Sequence, residues 1–148
     1  MAVDSGDLDT AVAALEHEFG VMFGKVRAQT RERAARVHPD LSPAGYNLLA
    51  ILVRSGPQHA GALATALDAD KSMISRMVRQ LTDLGLVERQ ADPSDGRAAF
   101  VVATATAVQR VEAVRSERRR QLRDVLAGWP ANDVRQLTAL LARLNEQG

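Results

Sequence analysis

A mainly α fold carrying one small β-hairpin is what the 148-residue sequence predicts, and three observations predict it. Apolar residues recur every three or four positions through most of the chain, the spacing of helices that bury one face. Only one place departs from that period: two short runs, Leu86-Val87-Glu88-Arg89-Gln90 and Ala99-Phe100-Val101-Val102-Ala103, enclose ADPSDGRA, whose proline and Asp-Gly are turn signals. Between the helices stand Pro39, Gly56-Pro57, Gly85 and Gly128-Trp129-Pro130, residues that stop or restart a helix.

Taken in order, Leu8, Val12, Leu15, Phe19, Met22/Phe23 and Val26 predict one long amphipathic helix over 8–37, ended by His38-Pro39. Ser42 is then an N-cap with Pro43 at the first helical position, where a missing N–H is no loss. The helix they open is apolar almost all round (Tyr46, Leu48, Leu49, Ile51, Leu52, Val53) and belongs in a core. A short helix over 60–67 buries Leu63, Ala64 and Leu67, and the connector Asp68-Ala69-Asp70 ends on a second N-cap. After the hairpin, Thr104 or Thr106 caps a helix with Val108, Val111, Val114, Leu122 and Val125/Leu126. Asn132 or Asp133 opens a last one with Val134, Leu137, Leu140/Leu141 and Leu144.

The stretch Asp70–Leu84, DKSMISRMVRQLTDL, has two unlike faces. At about 100° per residue, Ile74, Met77, Val78 and Leu81 form a buried stripe, and Ser72, Ser75, Arg76 and Arg79 fall together opposite it. Small hydroxyls let a helix backbone approach base edges, and arginine bonds guanine bidentately or holds a phosphate. With the short helix before it this is a helix-turn-helix, and a charged hairpin directly after such a pair is a wing. An arginine at the hairpin tip, Arg97, suits the negative potential of a narrow minor groove.

Composition bounds the partners. Aromatics are 3%, too few for single strands to be held by base stacking. With no cysteine, disulfides, thiolate metal sites and thiol sensing are excluded. His17, His38 and His59 share no metal-ligand spacing, and no P-loop, G-x-S-x-G or HExxH occurs, so neither an enzyme nor a cofactor is expected. No apolar run approaches the ~20 residues of a membrane span, and MAVDSGDLDT lacks the layout of a signal peptide, so a cytoplasmic location is expected. Net charge is only +1, but it is unevenly placed. Residues 2–20 hold five acids (Asp4, Asp7, Asp9, Glu16, Glu18) and no lysine or arginine, whereas 25–36 and 115–123 hold five lysines or arginines each against one acid. Nucleic-acid binding must therefore come from local patches. Arg118-Arg119-Arg120 reads as a solvated helix face, and Tyr46 and Trp129 as core.

This order of elements, with Leu84-Gly85-Leu86-Val87-Glu88-Arg89 and the wing run Asp92-Pro93-Ser94-Asp95-Gly96-Arg97, resembles the MarR family of bacterial transcription regulators across about residues 15–144. The resemblance implies a single domain over 1–148, with a winged helix-turn-helix over 43–103 flanked by dimerisation helices over 8–37 and 104–146. It implies a homodimer on double-stranded, pseudo-palindromic DNA, acting as a repressor that a small aromatic or phenolic effector releases. Carried over residue by residue, Ser72, Ser75, Arg76 and Arg79 would face the major groove and Arg97 the minor groove. Asp95 would orient that arginine, and Lys71 and Arg89 would be phosphate contacts. One departure is Ala103-Thr104-Ala105-Thr106-Ala107, which keeps the threonine of the family's Leu-Thr-x-x-Gly and loses its leucine and glycine. No residue marks an effector pocket. A second reading stands beside the first: a winged-helix module whose polar face binds an acidic protein.

Overall fold

The computed structural model describes residues 5–147, so Asp4 of the acidic run lies outside the described residues. In order the elements are α1 (Ser5–Val37), α2 (Pro43–Ser55), β1 (Gln58–His59), α3 (Ala60–Leu67), α4 (Lys71–Asp83), β2 (Val87–Asp92), β3 (Asp95–Ala103), α5 (Ala105–Leu126) and α6 (Ala131–Gln147). The described chain divides into two compact units, one through Val111 and one from Glu112.

The first unit is organised by local signals. The Ser42 hydroxyl accepts from the Gly45 N–H at 3.0 Å, with Pro43 beginning α2. A Cβ at Gly45 would stand 2.9 Å from Leu41 Cδ1 and 3.1 Å from Ser42 Oγ, so only glycine fits without displacement. Tyr46, Leu48, Leu49 and Leu52 are buried, as the all-round apolarity of α2 requires. Around them close Leu63 from α3, Ile74, Val78 and Leu81 from α4, and Val101 from β3. The C-terminus of α1 is held by Arg110, whose guanidinium donates to the Val37 carbonyl at 3.0 Å. A cation there answers both the orphan carbonyl and the negative end of the helix dipole.

The sheet has three antiparallel strands in the order β1-β3-β2. Strand β1 is absent from the sequence reading. It is two residues long, pairing Gln58 with Val101 and His59 with Phe100, and so short a strand carries no alternation. The hairpin is also longer than expected. Its strands run on to Asp92 and from Asp95, leaving Pro93-Ser94 as the turn. The added residues are mostly exposed on both faces, so no burial pattern marked them.

The helix after the wing is capped by Thr104, not Thr106. The Thr104 hydroxyl oxygen receives the Ala107 N–H at 3.3 Å while its proton goes to the Gly85 carbonyl at 2.9 Å. One threonine thereby ties the start of α5 to the end of α4. Helix α6 begins one residue early, with the Pro130 carbonyl accepting from Asp133 N–H at 3.0 Å.

In the second unit, Arg118, Arg119 and Arg120 are exposed, and no residue of α6 is buried. Trp129 departs from expectation. It is 49% exposed, because the Gly128-Trp129-Pro130 break holds it on a connector and not on a packed helix face. The apolar residues Leu137, Leu140, Leu141 and Leu144 of α6 are exposed, as are Leu8, Val12, Leu15 and Val26 of α1 in the first unit. No helix of the described residues is long and apolar enough to cross a membrane.

Candidate nucleic-acid interface

Helix α4 is fixed at both ends. Asp70 adopts extended backbone (φ −77°, ψ 161°), and its carboxylate accepts the Met73 N–H at 2.7 Å. The same oxygen accepts the Ser72 hydroxyl at 2.8 Å. These bonds, the Met73 amide foremost and the Ser72 hydroxyl next, hold the Asp70 carboxyl below the usual carboxylate range. At the other end Gly85 sits at φ 72°. Its N–H bonds the Thr82 carbonyl at 3.0 Å, and the Leu86 N–H bonds Leu81 O at 2.9 Å. That pair of bonds is a Schellman stop, and it needs the left-handed conformation that glycine adopts without strain. The helix is thereby cut to a defined length and turned straight into β2.

Between those ends Ile74, Val78 and Leu81 are buried and Ser72, Ser75, Arg76 and Arg79 are exposed on the opposite side. The connector from α3 makes its turn at Asp68, which takes φ 48°. Aspartate tolerates that left-handed position better than most residues.

The structure sorts the candidate residues into two groups. Ser75, Arg89, Asp95 and Arg97 line one concavity of about 450 Å³ between α4 and the wing, together with His59 and Gly61 at the start of α3. Ser72, Arg76 and Arg79 stand outside that concavity on the exposed face of α4, with Lys71 exposed at its first position. Ser72 is not a bare hydroxyl, since its proton is engaged by the cap. Arg97 is exposed but is not at the hairpin tip; it lies within β3, beyond the Pro93-Ser94 turn. Asp95 accepts the Arg97 backbone N–H at 3.1 Å, so it acts on the main chain that carries the arginine.

Two residues to which the sequence reading gave no role at this site, Asp92 and His59, complete the wing. Asp92 is buried, and its Oδ1 accepts both the Ser94 N–H (2.8 Å) and the Ser94 hydroxyl (2.6 Å), closing the turn. Its Oδ2 lies 2.9 Å from His59 Nε2. The Ser94 hydroxyl, then the Ser94 amide, and to a smaller degree His59 hold the Asp92 carboxyl below the usual range. Asp-Pro-Ser in a hairpin does signal a turn closed by the aspartate side chain. No local signal announces that a histidine far earlier in the chain meets the same carboxylate.

A helix-turn-helix whose second helix exposes hydroxyls and guanidinium groups beside a hairpin of a three-stranded sheet defines the winged helix-turn-helix class. Residues 41–99 match the sequence model of the MarR family. A putative transcriptional regulatory protein for the hcr operon of Thauera aromatica is 31% identical over 72% of this chain and 64% of its own length. An uncharacterized HTH-type transcriptional regulator, YdgJ, of Bacillus subtilis is 28% identical over 70% of this chain and 63% of its own. The chain thus spans just under two thirds of these relatives. A MarR family protein from Bacillus stearothermophilus shares the fold, with a TM-score of 0.81 over 99% of this chain and 98% of that one at 20% identity. The likeness to the MarR family thus lies over the winged helix-turn-helix, residues 41–99.

Proposed function

We propose that the protein is a cytoplasmic, dimeric transcription regulator that binds a pseudo-palindromic DNA duplex and acts as a repressor released by a small aromatic or phenolic effector. The observation that carries the reading is the exposed set Ser72, Ser75, Arg76 and Arg79 on a helix capped at both ends, with Arg89 and Arg97 beside it. Helix α4 is the element that enters the major groove, its hydroxyls near the N-terminus and its guanidinium groups one turn further on. Arg97 follows the adjacent minor groove from β3, and Lys71 and Arg89 hold phosphates. The reading needs no catalytic group. The exposed apolar residues of α1, and those of α6, are surfaces for a second copy of the chain, and the dimer sets the half-site spacing.

Fluorescence anisotropy with duplex DNA from upstream of the gene, a scrambled duplex and two salt concentrations tests this. Selective binding is expected, with log K falling by about 0.9 per phosphate neutralised as log salt rises. Arg79→Ala should cost about 1–3 kcal/mol on the native duplex and little on the scrambled one. Arg97→Ala should weaken binding with the dimer unchanged. Equal, weak binding to both duplexes, insensitive to Arg79→Ala, would favour a protein-binding winged helix instead.

A further inference from the structure

Neither the helix-turn-helix nor the base-reading face uses His59, yet it is placed where the wing is anchored. It ends β1 and is the N-cap residue of α3, and its ring stacks on Phe100 with centroids 4.3 Å apart and planes at 29°. Because β3 is the middle strand, the His59–Asp92 contact ties the two outer strands together across it. The Asp92 carboxylate it grips also closes the Pro93-Ser94 turn. Asp92 is nearly inaccessible, with 7% of its side chain exposed, whereas 41% of the His59 side chain reaches solvent and can exchange protons.

We propose that His59 and Asp92 form a protonation-sensitive clamp that positions the wing against α4, so that DNA affinity rises as His59 gains its proton. The inference rests on the reading that the wing contacts DNA. Histidine changes charge between about pH 5 and 8. As imidazolium it makes an ion pair with Asp92; as neutral imidazole it keeps at most an Nε2–H hydrogen bond to the carboxylate and loses the attraction between opposite charges. The charged groups around it are the Asp92 carboxylate from β2 at 2.9 Å, the positive N-terminal end of α3, and Arg89 of β2 with Asp95 and Arg97 of β3, which line the same concavity. Phe100 from β3 stacks on it, and Ser75 from α4 lines the same concavity. Arg89 sits on β2, one of the two strands the clamp fastens, and Arg97 on β3 between them, so a looser clamp widens the range of positions they sample.

The test is DNA binding at pH 6 and pH 8 at one ionic strength, beside NMR of the free protein. Wild-type Kd should weaken about two- to fivefold from pH 6 to pH 8, the range an exposed-side ion pair supports. His59→Gln keeps a neutral donor and should bind alike at both pH values. Asp92→Asn can still close the turn, and it should weaken binding at pH 6 and flatten the pH profile. If His59 instead touched phosphate directly, Asp92→Asn would bind as well or better at pH 6, and the clamp would be overturned. A wild-type profile identical to that of His59→Gln would overturn it too. Without DNA, the Ser94 and Arg97 amide signals should move with the His59 ring signal in wild type and stay fixed in His59→Gln; amides that ignore the ring would refute the clamp. Coupled titration in a protein that binds neither duplex would uphold the clamp and refute the DNA-binding reading.

Discussion

At the scale of single residues, the carboxylates that matter are those whose oxygens accept main-chain amides. Asp70 caps α4 through Met73 N–H and Asp92 closes the wing turn through Ser94. Both carboxyls titrate below the usual range in the folded chain. A group whose folded value is depressed contributes stability that is fully present above its unfolded value, near 4, and is lost as pH falls through the folded one. Thermal melts should therefore be flat in these terms from neutral pH down to about pH 5 and fall below about pH 4. Asp70→Ala should lower Tm at pH 7 by about 3–5 °C, and Asp70→Asn, which keeps an acceptor, by less. An Ala variant that melts with wild type at pH 7 would remove Asp70 from the stability of α4. The cap was legible because an N-cap precedes its helix directly in the chain. The His59–Asp92 pair was not, because it exists only once β1 and β2 flank β3.

At the scale of elements, what the sequence announces is whatever a periodicity or a stop residue encodes. Helices α2, α3 and α4 stand where the apolar spacing and their flanking proline, glycine and aspartate residues put them, though Ala64, Leu67 and Met77 of the expected stripes are only half-buried. The outer wing, Ala91-Asp92 and Asp95 onward, was missed because Ala91, Asp95, Gly96 and Arg97 are exposed and no buried face selects them. That moved Arg97 from a turn into β3, in the stretch between Asp95 and Ala99 where the register with β2 shifts. Gly85 offers a direct check on how α4 is joined to that ladder. No atom lies within 4 Å of where its Cβ would be, so Gly85→Ala meets no clash and pays only for φ 72°. The expected loss is about 1 kcal/mol, read as a lower midpoint in urea with an unchanged slope. Loss of the Schellman bonds would also free β2 at its first residue, so a DNA affinity that falls further than stability does would mean that this junction aims the wing. A Gly85→Ala protein as stable as wild type would show that the left-handed position carries no strain.

At the scale of the whole molecule, the apolar surface left outside the core is the largest unexplained quantity. Leu8, Val12, Leu15 and Val26 on α1, and Leu137, Leu140, Leu141 and Leu144 on α6, are all about two-fifths exposed or more. Monomeric proteins rarely leave apolar surface in such continuous helical stripes, and an interface between chains is the usual use of it. In the proposed dimer each wing reads one half-site, and the second contact is made at the high effective concentration of a linked pair. Replacing Leu137 and Leu141, one helical turn apart, by aspartate places charge where the partner chain would exclude water. The double variant should sediment as a monomer at micromolar concentration. The first unit should keep its fold, since no residue of α6 is buried. DNA affinity for a full palindrome should fall by about 10²-fold or more, while affinity for an isolated half-site should hardly change. Sedimentation as a dimer with unaltered binding would show that α6 lies outside the interface. A monomer that still binds the full site tightly would show that one winged helix is enough, and would sink the two-site reading while sparing the base contacts of α4.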